Sequence, residues 1–140
     1  MLLHIKNWFL RNSLLIALSL SVIVVVASLI NTNSLPTRNF NISDKILHAF
    51  AYIILIWSWL LVFRNKTSCK FKLLIFVCLI GFGIILELLQ GGMMQHRTAD
   101  WKDVLANVVG LMLGLVTFRY VYLFIFHKGN TKVINNKCLF

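Results

Sequence analysis

Residues 73–114 read LLIFVCLIGFGIILELLQGGMMQHRTADWKDVLANVVGLMLG. Two strongly apolar runs flank a short polar connection. The first, Leu73 to Gln90, rises ~27 Å as a helix, close to the hydrocarbon thickness of a bilayer. The polar groups gather where the runs meet. Glu87, Asp100 and Asp103 are three of the four acidic residues in the chain, and Gln90, Arg97 and Asn107 lie beside them. A charge beside a membrane segment is costly, so this cluster is where function is expected.

Composition fixes the class. The hydrophobic fraction is 59% and the charged fraction only 13%, against ~25% charged in a soluble domain. The 140 residues suit one domain, 1–140, and not two. The net charge of +10 suggests nucleic acid in a soluble chain. Here it reads as topology, because cytoplasmic loops of membrane proteins collect Lys and Arg. No soluble domain organises those basic groups, so no nucleic-acid partner is expected.

Four spans are expected, at about 13–30, 46–63, 73–90 and 104–126. Residues 1–12 form a short basic start. The run from Ser13 is too long for a signal-peptide core and lacks an A-x-A cleavage site. Asn31 to Ser43 holds the single proline, Pro36, and reads as a loop. Ser43 is an N-cap candidate for the second span, with Asp44 in its first turn. Arg64 to Lys72 is a basic loop. Gly91-Gly92 is expected to stop the third helix, and Asp103 to open the fourth. Trp57, Trp59 and Trp101 suit interfacial anchoring. Arg119 can snorkel to the headgroups.

Orientation follows from the basic residues. Ten of the fourteen Lys and Arg fall on the side of the termini and of the 64–72 loop. The other four are Arg38, Lys45, Arg97 and Lys102. Both termini are therefore expected in the cytoplasm, which puts the acids at the outer face. None of Cys69, Cys78 and Cys138 would then lie outside, so no structural disulfide is expected.

Helix periodicity assembles a site. Asp44, His48 and Tyr52 share one face of the second span at i, i+4, i+8. Glu87 and Gln90 are i, i+3 on the third. Asp100, Asp103, Asn107, Gly110 and Gly114 share a face of the fourth if its helix begins early enough. Each residue has a plainer role. The aspartates are favoured at helix starts, Asn107 suits an interhelical hydrogen bond, and Gly110 with Gly114 forms a G-x-x-x-G packing seam. Separate caps and seams do not explain why so many ionisable groups share one boundary.

Three patterns, S-D-K-I-L-H-A-F-A-Y (43–52), L-E-L-L-Q (86–90) and R-T-A-D-W-K-D-V-L-A-N-V-V-G-L-M-L-G (97–114), resemble those of the VanZ-like family. That family shows D-K-x-x-H-x-x-x-Y, E-x-x-Q and R-x-x-D-x-x-D-x-x-x-N-x-x-G-x-x-x-G in this order. The likeness covers about residues 13–120. It implies an all-α, integral membrane four-helix transmembrane bundle in the bacterial cytoplasmic membrane, to which the count of basic residues adds the N-in/C-in topology. It places Asp44, Lys45, His48, Tyr52, Glu87, Gln90, Arg97, Asp100, Asp103 and Asn107 on the family's polar positions, and Gly110 and Gly114 on its packing positions. The family's name comes from low-level teicoplanin resistance.

The expected function is binding of an outer-leaflet lipid or lipid-linked envelope precursor, with an effect on envelope properties or glycopeptide sensitivity. Arg97, Lys45 and Lys102 would hold a phosphate, while Tyr52 and Trp101 pack the apolar part. The alternative is a hydrolase or transferase in which His48 acts as acid or base and Arg97 stabilises negative charge. No G-x-S-x-G nucleophile motif accompanies it. A transporter fits less well, because the polar groups collect at one face instead of crossing the bilayer. A purely structural partner, associating with copies of itself through helix packing, leaves His48, Glu87 and Arg97 unexplained. No cofactor is expected; the carboxylates with His48 could instead hold a divalent ion through hard oxygen ligands, although no spacing is diagnostic of a metal and Arg97 offers a protein counter-ion.

Overall fold

The computed structural model describes residues 2–29, 41–65, 68–93 and 100–126. Five helices follow in order: α1 Leu2–Arg11, α2 Ser13–Leu29, α3 Asn41–Val62, α4 Cys69–Met93 and α5 Trp101–Phe126. No strand occurs among the described residues. Three helices are long and apolar enough to cross a membrane, over Asp44–Val62, Cys69–Gly92 and Trp101–Ile125. The seventeen-residue α2 is also apolar but shorter.

These helices expose their apolar side chains. Leu47, Leu88, Val116 and Phe124 all face outward. An apolar surface of that extent is unstable in water and natural against lipid tails. The chain is therefore an all-helical membrane protein. Backbone amides are satisfied within each helix, so the outer surface needs no polar partner.

Helix α3 is the centre of the packing and contacts α2, α4 and α5, with α5 its principal neighbour. Its residues Tyr52, Leu55, Ile56 and Leu60 form the core with Ile75, Leu79 and Leu111. The close approach of α3 and α5 has a steric cause. A β-carbon on Gly110 would stand 2.8 Å from Ala49 Cα and strike the Ala49 carbonyl. One on Gly114 would stand 3.2 Å from Ile53 Cα and meet the Ile56 side chain. The two glycines let one backbone lie against the other, as small residues do between membrane helices. The indole N–H of Trp57 then donates to the Gly114 carbonyl at 2.9 Å.

Several local expectations change. The basic start is helical: α1 runs into α2 through a bend at Asn12, whose N–H donates to Trp8 O at 2.9 Å. α3 begins at Asn41, so Ser43 lies inside the helix and does not precede it. α4 begins at Cys69, which moves Lys70 and Lys72 from the loop into its first turns. It also continues through Gly91 and Gly92, because neither adopts positive φ and no left-handed cap forms there. Trp57 and Trp59 spend their indole N–H groups between helices, Trp59 on Ser21 Oγ at 3.2 Å. Trp101 is exposed. Cys69 is disulfide-bonded, against expectation.

Candidate functional site

The N-terminal ends of α3 and α5 and the C-terminal end of α4 meet at one end of the protein. All four acidic residues are there. The opposite end carries Arg11, Arg64, Lys70 and Lys72. Arg64 Nη1 caps it by donating to Leu61 O at 3.2 Å and Leu10 O at 3.4 Å.

The start of α5 sets up the site. Asp100 is its N-cap, with Oδ1 accepting from the Lys102 N–H at 3.0 Å, so the helix begins early enough to include this position. That N–H, followed by the Lys45 ammonium, holds the Asp100 carboxyl below the usual carboxylate range against an opposing effect of desolvation. The Asp100 N–H in turn donates to Glu87 Oε1 at 2.7 Å. Glu87 is buried. It fastens the end of α4 to the start of α5 across the connection between them.

Lys45 reaches over from α3. Its Nζ donates to Asp103 Oδ1 at 2.9 Å and to Asp100 Oδ2 at 3.2 Å. Asp103 is buried and Lys45 half-buried, so the pair is shielded more than a surface ion pair. One turn further along α3, His48 Nδ1 lies 3.2 Å from Asn107 Oδ1, one turn beyond Asp103 on α5. The matched one-turn steps follow from the glycine seam, which keeps the two helices in contact over this length. His48 Nε2 faces Asp44 Oδ1 at 4.0 Å.

Tyr52 and Asn107 converge on Gly83 of α4. A β-carbon there would stand 2.9 Å from the Tyr52 hydroxyl and 3.3 Å from Asn107 Nδ2. The missing side chain of Gly83 makes room for two polar groups of the cluster. Gln90 leaves the cluster. It is 1% exposed, and its Nε2 donates to Ser28 O of α2 at 2.7 Å. Its Oε1 is buried with no hydrogen-bond partner among the described residues. Ser28 had no signal in the sequence, because a backbone carbonyl acceptor is the same for every residue type.

Asp44, Lys45, His48, Tyr52, Glu87, Asp100, Asp103 and Asn107 thus lie together, while Gln90 turns to α2. Arg97 lies outside the described residues. Gly110 and Gly114 are consumed by α3 within the chain, so contact between copies would need another surface. The expected phosphate cradle changes as well. Lys45 is engaged by two carboxylates, and Lys102 is exposed at the rim. Among the described groups the acids outnumber the cations. Such a site suits hydroxyl and amine groups, or a cation, better than a bare phosphate.

No family model, no curated protein and no solved structure matches the chain. The family likeness therefore stands on the three sequence patterns alone.

Proposed function

We propose that this is a VanZ-like multi-pass protein of the cell envelope that binds the headgroup of an outer-leaflet lipid or lipid-linked precursor. One observation carries this reading. Lys45 and His48 of α3, Glu87 of α4 and Asp100, Asp103 and Asn107 of α5 converge at one end of an apolar helical body, where lipid headgroups lie. A lipid-linked ligand meets the cluster through hydroxyl or amine groups and lays its chains on the apolar sides of α3 and α5. Occupancy of such a site changes the outer surface and the access of a lipid-anchored glycopeptide of the teicoplanin type.

The topology proposed with it is a four-span bundle of α2 to α5 with both termini in the cytoplasm. Collection of all four acids at one end, with Arg11, Arg64, Lys70 and Lys72 at the other, supports it, since basic residues gather inside. Reporter fusions after Phe140 and within 94–99 decide. Activity of a cytoplasmic reporter at Phe140 is expected, and activity of an external reporter there would overturn the orientation.

The binding reading is tested by mass spectrometry of lipids that co-purify with wild type and with His48→Ala, alongside teicoplanin sensitivity of expressing cells. Wild type should enrich one lipid class, and the variant should lose it. Identical lipid profiles would refute the reading. One observation favours a membrane hydrolase or transferase as the second reading. Asn107 holds the His48 ring so that Nε2 faces Asp44, an arrangement suited to proton transfer. Turnover of lipid-linked substrates by wild type, abolished in His48→Gln, would establish it.

A further inference from the structure

We infer that α1 carries a second lipid site, at the end of the protein opposite the acidic cluster, which takes the headgroup of an acidic phospholipid. It rests neither on the acidic site nor on the ligand proposed there. His4, Asn7, Trp8 and Arg11 line an open pocket of about 430 Å³. That volume lies within the ~300–1,000 Å³ usual for small-molecule sites. The four residues fall at i, i+3, i+4 and i+7, so one face of α1 presents them together. All four side chains are exposed, and none has a hydrogen bond or ion pair among the described residues.

The pocket is rich in donors. Arg11 brings a guanidinium fork, Trp8 an indole N–H, Asn7 an amide NH₂ and His4 a ring N–H. A guanidinium meets two phosphate oxygens at once, which suits a phosphodiester better than a point charge does. Nothing at this end opposes an anion. The chain holds four acidic residues, and all of them lie in the cluster at the far end. Arg64, Lys70 and Lys72 share the end of Arg11 and add to its positive potential. The acidic cluster has the reverse balance, so the two sites select different headgroups.

Depth favours a lipid over a free anion. The apolar helix α2 begins at Ser13. At 1.5 Å per residue, Arg11 stands ~3 Å and Trp8 ~7.5 Å before that point, and less if α1 lies in the membrane plane. The headgroup layer is roughly 5–8 Å thick on each side of the hydrocarbon. Both residues therefore stand at headgroup depth, in the inner leaflet of the topology proposed above. Trp8 and Phe9 add exposed aromatic surface, 53% and 42% accessible, with rings edge to face at 5.4 Å. A ten-residue helix is too short to span. One that shows aromatic and basic groups together suits the membrane surface. Leu10 O accepts from Ser13 Oγ at 3.2 Å and from Arg64 Nη1 at 3.4 Å, which pins the end of α1 to the end of α3. The pocket is thereby held at the surface of the helical body.

The test uses full-length protein in a neutral detergent, titrated with phosphatidylglycerol or with phosphatidylcholine and followed by native mass spectrometry. Phosphatidylglycerol should bind in preference. Arg11→Gln should weaken its binding by roughly fivefold, the share of one Arg beside an anionic surface. Asn7→Leu, which changes no charge, should weaken it by roughly threefold or more. Lys70→Gln, at the same end but outside the pocket, should have a clearly smaller effect than Arg11→Gln. All three positions are exposed, so the variants should fold, and circular dichroism checks this. Equal losses in Arg11→Gln and Lys70→Gln with none in Asn7→Leu would show attraction to basic residues in general and overturn the pocket. Equal binding of the two lipids would overturn it as well. Displacement of the lipid by excess inorganic phosphate at constant ionic strength would assign the pocket to a free anion instead. These variants lie at the opposite end from His48, so the outcome is independent of the lipid profile of His48→Ala.

Discussion

Gly110→Ala should destabilise the protein and loosen its polar site, although the change adds one methyl group far from any charge. The new Cβ would stand 2.8 Å from Ala49 Cα and closer still to the Ala49 carbonyl. Ordinary carbon contacts are ~3.5–4.0 Å, so α5 must move from α3 by roughly 0.7–1.2 Å. The obstacle is backbone, which cannot rotate aside. Overpacking of this kind costs about 1–3 kcal/mol. Gly81→Ala is the control. It adds the same methyl in the interior of α4, with nothing within 4 Å. The gain in helix propensity is common to both variants, so their difference isolates the clash. Thermal and denaturant unfolding in one detergent should place Gly110→Ala below Gly81→Ala by that amount. The displacement should also separate Lys45 from Asp103 and His48 from Asn107, so lipid binding should weaken in Gly110→Ala and persist in Gly81→Ala. Equal stability of the two variants would show that α3 and α5 are not in backbone contact.

Glu87→Gln keeps an oxygen for the Asp100 N–H and should retain most of the stability, whereas Glu87→Ala leaves that N–H without its acceptor and should cost about 1–3 kcal/mol. If Glu87→Gln instead abolishes lipid binding while remaining stable, the negative charge is used in function as well as in the fold. Asp100 is held below its ordinary pKa by the Lys102 N–H and by Lys45. Its contribution is therefore fully present above the unfolded value of ~3.9 and is lost as pH falls through the lower folded value. Asp100→Asn preserves a good cap but cannot titrate, so its unfolding profile should be flatter than that of wild type below about pH 4. Trp57→Phe removes the 2.9 Å bond to Gly114 O and should cost about 0.5–1.5 kcal/mol, with no change in the lipids that co-purify. A loss well above that range, read from the same unfolding transitions, would show that the ring's packing matters more than its N–H.

Much of the architecture was legible because lipid is a simple solvent. A run such as Leu73 to Gln90 reports its own environment, and no distant residue is needed to interpret it. Periodicity likewise aligned Asp44, His48 and Tyr52, and placed Asn107 in line with Asp103, since both follow from 3.6 residues per turn. Helix ends were less legible. Gly91-Gly92 signals a stop only if a glycine turns left-handed, and here neither does. Gln90 shares its helix face with Glu87 by spacing, yet α2 lies within its reach and takes its N–H.

The sequence by itself determined the solvent, the helical class and which residues are too polar to lie against lipid, because each of these is local. The tertiary structure alone decided how those residues pair. It gave Lys45 to Asp103 and Asp100, His48 to Asn107, and the Asp100 N–H to Glu87. Those pairings depend on how closely α3 and α5 approach and in what register. That approach is set by two missing side chains, Gly110 and Gly114, against Ala49, Ile53 and Ile56. Periodicity shows which residues share a face, but only contact shows what that face meets.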